Sequence, residues 1–143
     1  MIGIRNVAQV LATALVFVGC ASKEPMVLTV SGDDYVQRAA VAAVAEWVDV
    51  CHADLSIGPN GIPVREEAVP NHGGITRFTW DGPVAVGYYR QTNLDGMTAV
   101  LAHEFGHVLG LDHTPDGEID IMSAVPSDPA GHVEPRDCAR ITR

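Results

Sequence analysis

Residues 103–113 read HEFGHVLGLDH, with three histidines and one glutamate in a short span. If the segment is helical, His103 and His107 stand one turn apart on one face, so two imidazoles can reach one ion. Glu104 is angularly offset from that pair. It need not ligate, and it is placed to take a proton from a water on the metal. Zinc prefers nitrogen at about 2.0–2.1 Å in tetrahedral geometry, so two histidines leave it short of a third protein ligand. A helix running on through His113 would carry that residue too far along the axis. Gly110 allows a sharp left-handed turn, after which His113 can close the site. Three histidines and one water describe an open, catalytic kind of site holding one zinc ion, suited to metal-assisted amide hydrolysis.

The elements that would carry these residues follow from pattern. MVLTVS (26–31) reads as a strand, and Asp33 or Asp34 can cap the helix after it. In that helix Val36, Ala40, Ala43, Val44, Trp47 and Cys51 recur at helical spacing and define a buried face. ADLSIG (53–58) reads as a second strand. PNGIPVREEAVPNHGG (59–74), rich in Gly, Pro and Asn, reads as loop. ITRFTW (75–80) and VAVGYYR (84–90) read as strands about an Asp81-Gly82 turn. Asp95 can cap the motif helix, which should run to about Leu111. A last short helix is expected to begin near Pro135, which suits a first helical turn. This order predicts an α+β fold: a mixed twisted sheet with an active-site helix, a packing helix and a short C-terminal helix.

Here the chain resembles the metzincin metallopeptidases, whose motif HExxHxxGxxH is matched at His103, Glu104, His107, Gly110 and His113. The methionine turn of that clan is matched by Ile121-Met122-Ser123. The closest likeness is to the matrixins, the matrix-metalloproteinase side of the clan, and it covers about residues 26–143. The resemblance implies a zincin fold, zinc on the three histidines, Glu104 as general base and Met122 as an apolar floor beneath the imidazoles. It also implies an edge strand that pairs with an extended peptide, placed within Val84–Arg90. The sequence departs from matrixins at Thr114, where Ser is usual. Ala124 stands where some related families carry tyrosine. Calcium or second-zinc sites of the relatives have no counterpart legible here.

Size, charge and termini bound the rest. The 143 residues suit one domain, and 47% hydrophobic residues suffice for a core. Acidic residues outnumber Lys and Arg 18 to 9, for a net charge of −9, which argues against nucleic-acid binding and a polybasic membrane patch. Residues 1–19 have the layout of an export signal, and Val18-Gly19-Cys20 resembles the lipobox of bacterial lipoproteins. Lipidation of Cys20 would make 20–25 a tether and 26–143 the peptidase domain. The other reading is ordinary cleavage after Ala21. Export would place the domain facing the periplasm or exterior, held at a membrane by lipid. Ala21 after Cys20 resembles outer-membrane sorting. Cys51 and Cys138 can then pair in an oxidising compartment or remain separate buried thiols. Only residues 21–25 separate Cys20 from the first strand, so no thiol-bearing pro-segment is expected.

The expected activity is a zinc endopeptidase acting on peptide or protein substrates. The alternative is a zinc-stabilised lipoprotein that binds peptides or a partner without cutting them. The presence of Glu104 favours the enzyme, since a binder needs no base. His52, His72 and His132 read as solvated or capping residues. Asp112, Asp116, Glu118 and Asp120 read as a solvated acidic loop, and calcium there lacks any EF-hand spacing. Substrate preference should lie in the walls formed by SAVPSDPAGH after Met122.

Overall fold

The computed structural model describes residues 24–69, 73–115, 120–124 and 131–142. The segment read as an export signal, Cys20, His72, Asp116, Glu118 and most of the stretch after Met122 lie outside the described residues. Among the described residues, five strands and three helices follow one another as β1 (Met26–Val30), α1 (Asp34–Cys51), β2 (Leu55–Ile57), β3 (Ile62–Glu66), β4 (Gly74–Thr79), β5 (Gly82–Tyr88), α2 (Leu94–Val108) and α3 (Pro135–Cys138). The sheet order is β2-β1-β3-β5-β4, parallel except for β4, which runs antiparallel to β5. This is the mixed sheet with a packing helix, a site helix and a short C-terminal helix of a metzincin-like fold.

Two expectations are corrected. β3 lies inside the stretch read as loop, where Gly61 and Pro63 masked an alternating Ile62, Val64 pattern. Pro63 is tolerated because β5 pairs only from Val64 onward, so the start of β3 has a single strand neighbour, β1. The second correction concerns the sheet edge. β5, which contains most of Val84–Arg90, is interior, hydrogen-bonded to both β3 and β4. Among the described strands β4 pairs only with β5, so β4 is the edge on this side of the sheet, with β2 the edge on the other. Strand order is a matter of non-local pairing, which alternation along one strand does not encode.

The core forms where α1 and α2 pack on the sheet. Val36, Ala39, Ala40, Ala43 and Trp47 of α1 meet Met97, Leu101, Ala102, Phe105 and Val108 of α2, against Leu28, Val64, Val86 and Tyr88. Three buried alanines leave α1 slim on this face, as close helix packing requires. Trp47 fills the resulting seam, and its Nε1 donates to the Ala102 carbonyl at 2.8 Å. A buried indole without that acceptor would lose the hydrogen bond it had in water. Asp33 caps α1 by accepting from Val36 N. Tyr88 is wholly buried, with its hydroxyl donating to the Ser31 carbonyl, whereas Tyr89 is partly exposed.

The end of α1 is fastened to α3. Cys51 and Cys138 form a disulfide across a sequence separation of 87, and Glu46 accepts from Val133 N and pairs with His132. Closing so long a loop removes much conformational entropy from the unfolded chain. Replacing both cysteines by alanine should therefore lower unfolding free energy by about 4 kcal/mol, read from urea unfolding as a lower midpoint with a steeper slope, since the unlinked unfolded chain exposes more surface.

Candidate metal centre

The site is built on α2 and the turn that ends it. Asn93 caps the helix through Gly96 N, at 2.7 Å; the expected cap, Asp95, lies inside the first turn. Asn at this position satisfies an orphan N–H as well as Asp does, and the choice between them is local loop geometry. The helix stops at Val108, short of the expected Leu111. Gly110 N–H bonds to the His107 carbonyl and Leu111 N–H to the Gly106 carbonyl. With Gly110 at φ 90°, this pair of bonds is a Schellman ending, and it reverses the chain. A side chain at that φ would be strained, so glycine is what lets His113 swing back over the helix.

The three imidazoles then converge. Nε2 of His113 lies 3.2 Å from Nε2 of His103 and 3.1 Å from Nε2 of His107. Tetrahedral zinc with nitrogen at about 2.0–2.1 Å sets ligand nitrogens about 3.3 Å apart, so the observed spacing fits that ion. Two rings are held from behind. His103 Nδ1 donates to the Ile121 carbonyl and His107 Nδ1 to the Leu111 carbonyl, each at 2.7 Å. Those bonds place the ring proton on Nδ1 and leave the Nε2 lone pairs facing inward. Burial pulls the His103 pKa down to about 4 and lowers that of His107. Both rings are thus neutral ligands near pH 7. The inward lone pairs of His103 and His107, with His113 Nε2 beside both, suit a cation, and these three residues can hold a metal ion.

Glu104 sits beside the cluster, only 3% exposed. Thr76 Oγ1 of the edge strand donates to its Oε2 at 2.7 Å. Gly74 gives it room: a Cβ there would stand 2.6 Å from Oε1. Burial pushes the Glu104 carboxyl up to about 7, with the Thr76 hydrogen bond opposing. Thr76 and Gly74 carry no signal of this role in sequence, because only the sheet order brings β4 over α2.

Met122 is fully buried and packs on Gly106, as does Trp47; a Cβ on Gly106 would stand 2.9 Å from the Trp47 ring. Asp120 departs from expectation. It was expected in a solvated loop, yet it is buried, with Oδ1 accepting from Thr114 Oγ1 at 3.0 Å and from Met122 N at 2.8 Å. Charge count along the loop favours exposure, but two hydrogen bonds and Arg140 nearby compensate its burial.

A family model, matrixin, matches residues 37–142, from the first turn of α1 to the end of the described chain. The chain belongs to the matrixin family. No curated protein matches it. Membership makes this a metallopeptidase domain in general terms, and the histidine cluster could hold a metal ion.

A pH signature follows for the metal-free matrixin domain. Folded Glu104 holds its proton up to about 7, while an unfolded glutamate releases it near 4.5, so this group destabilises the fold as pH rises across that window. His103 acts oppositely, adding stability as pH rises from about 4 to 6.5. Glu104→Gln removes only the first contribution. In chelator, the variant should match wild type at pH 4 and exceed it at pH 8 by at most about 3 kcal/mol, measured by urea unfolding at each pH.

Proposed function

We propose that this protein is a zinc endopeptidase in which Glu104 is the general base and His103, His107 and His113 are the zinc ligands. The observation that carries the reading is a buried carboxylate next in sequence to His103, on the helix that bears two of three converging imidazole nitrogens. Bound zinc would polarise a water and the substrate carbonyl, which lowers the barrier to attack. Glu104 Oε2 is taken by Thr76, which leaves Oε1 to accept a proton from the attacking water. The same oxygen can then deliver that proton to the leaving amine nitrogen. A carboxyl raised by burial toward neutrality is suited to both transfers, since it neither holds nor releases the proton too firmly.

The unpaired edge of β4 supports endopeptidase action. An extended peptide can add there as a further strand, with its backbone hydrogen bonds carrying affinity and its ends free to run past the site. Residues 74 and 76 of this edge touch Glu104, so a peptide laid along it passes the base. The acidic chain, with net charge −9, is a poor match for nucleic acid, and proteins or peptides are the proposed substrates. We also propose export and lipid anchoring at Cys20 to a bacterial membrane, on the lipobox-like Val18-Gly19-Cys20. No helix among the described residues is long and apolar enough to cross a membrane.

The test compares the purified full-length chain with its Glu104→Ala variant, by zinc analysis and cleavage of internally quenched peptides. Wild type should carry one zinc and cut internally, and chelator should abolish cutting. The variant should keep its zinc and lose at least about 100-fold in kcat, the usual scale for removing a general base. An undiminished rate would refute the mechanism. Zinc binding and peptide binding without any cleavage by wild type would favour the peptide-binding alternative.

A further inference from the structure

His113 poses a problem that His103 and His107 do not. The latter stand on a helix, which holds their backbones in place. His113 is exposed and stands on a loop beyond the last helical turn. A ligand on an unsupported loop would have to be ordered at the moment of metal binding, and affinity would fall by that cost. The chain on both sides of His113 is tied down. Before it, the Asp112 carbonyl accepts from Arg140 Nη2 at 2.7 Å. After it, Thr114 N–H donates to the Met122 carbonyl at 3.0 Å, and Thr114 Oγ1 donates to Asp120 Oδ1, also at 3.0 Å.

Asp120 is where these ties meet. Its Oδ1 takes the Thr114 hydroxyl and the Met122 N–H together, and its Oδ2 faces Arg140 Nη1 at 3.6 Å. Its side chain is 1% exposed, so these bonds are made out of water, where they hold geometry most firmly. Ile121, next along, supplies the carbonyl that orients the His103 ring. One carboxylate thus sets the loop bearing His113 in register with the turn that orients His103. We propose that Asp120 is a positioning residue for the metal centre, acting through Thr114 on His113 and through the 120–122 turn on His103, with Arg140 completing the clamp. The proposal rests on the reading of the three histidines as ligands.

The geometry also accounts for the residue types. Thr114 replaces the usual serine without loss of the hydroxyl that Asp120 needs. Only an acceptor with two free lone pairs on one oxygen can take both donors, which an Asp or Asn supplies and an alanine does not. Asp137, also buried, accepts from Glu134 N through Oδ2 and faces Arg140 Nη1 at 3.7 Å through Oδ1, so it bears on Arg140 and not on Thr114.

The experiment measures zinc affinity of the full-length chain by chelator competition, together with the visible absorption of the cobalt-substituted protein. Asp120→Ala should weaken zinc by about 10–100-fold, the usual scale for an outer-shell partner, and should change the cobalt spectrum. Asp120→Asn, which keeps the shared acceptor, should recover most of the affinity. Thr114→Val should weaken zinc in the same direction, while Thr114→Ser should match wild type. The double variant Asp120→Ala/Thr114→Val should lose little more than Asp120→Ala alone, because both act through one bond. If Asp120→Ala does not fold, Thr114→Val decides. Unaltered zinc affinity and cobalt spectrum in Thr114→Val, or in a folded Asp120→Ala, would overturn the clamp alone. A wild-type chain that binds no zinc would instead overturn the ligand assignment, and the clamp with it.

Discussion

Three imidazole nitrogens can be held within 4.8 Å of one another only if each ring is held from outside the cluster. The inward lone pairs of His103 and His107 repel, and only a cation or a hydrogen on His113 Nε2 relieves them. The holding groups here are backbone carbonyls for two rings, Leu111 for His107 and Ile121 for His103. Both carbonyls belong to chain that follows the helix, not to the helix itself. The site therefore depends on the path taken between Val108 and Ser123, and the rest of the fold can be understood as what keeps that path in place.

That path is anchored at three levels. The glycine-terminated helix end directs the chain back over α2. Met122 then plugs the space above Gly106, where the absence of a side chain lets it approach the helix, and Trp47 closes the same space from α1. Finally α3, tied to α1 by the Cys51–Cys138 disulfide, presents Asp137 and, just beyond its last turn, Arg140 beneath the loop. Burial pushes the Asp137 carboxyl above its usual range, as expected for an acid with one oxygen unpartnered and Asp120 nearby. The hydrophobic packing of α1 on α2 and the polar network under the loop thus serve one end. Neither alone would fix a ligand that stands on exposed chain.

The opposite wall of the site is the edge strand. Its position over α2 places Thr76 against Glu104 and leaves the β4 edge open alongside. The antiparallel direction of β4 follows from the tight turn at Thr79–Gly82, since a hairpin can only reverse the chain. Gly82, at φ 130°, makes that turn possible. The outer face is closed by the Glu67–Arg77 pair over Gly87, so the polar chemistry of the sheet is split between a solvated face and the face that meets the base.

Much of this was legible in the linear chain. Spacing alone put His103 and His107 on one helix face and marked Gly110 as a place where the chain could turn, because a period of 3.6 residues and the left-handed freedom of glycine are local properties. The apolar stripe of α1 and the hairpin about Asp81-Gly82 were equally local. What sequence misplaced was non-local. β3 was hidden by Gly61 and Pro63 until pairing with β1 gave it a reason to be extended, and β5 was taken for the edge until β4 closed over it. Asp120 looked like one more charge in an acidic loop, since its two donors come from residues on either side of a turn whose shape the chain does not spell out. Residue identity and short-range spacing determined which groups could bind a metal. Strand order and the folding back of the loop decided which carbonyls, hydroxyls and carboxylates would hold them, because those contacts join residues far apart in sequence and arise only when the whole domain packs.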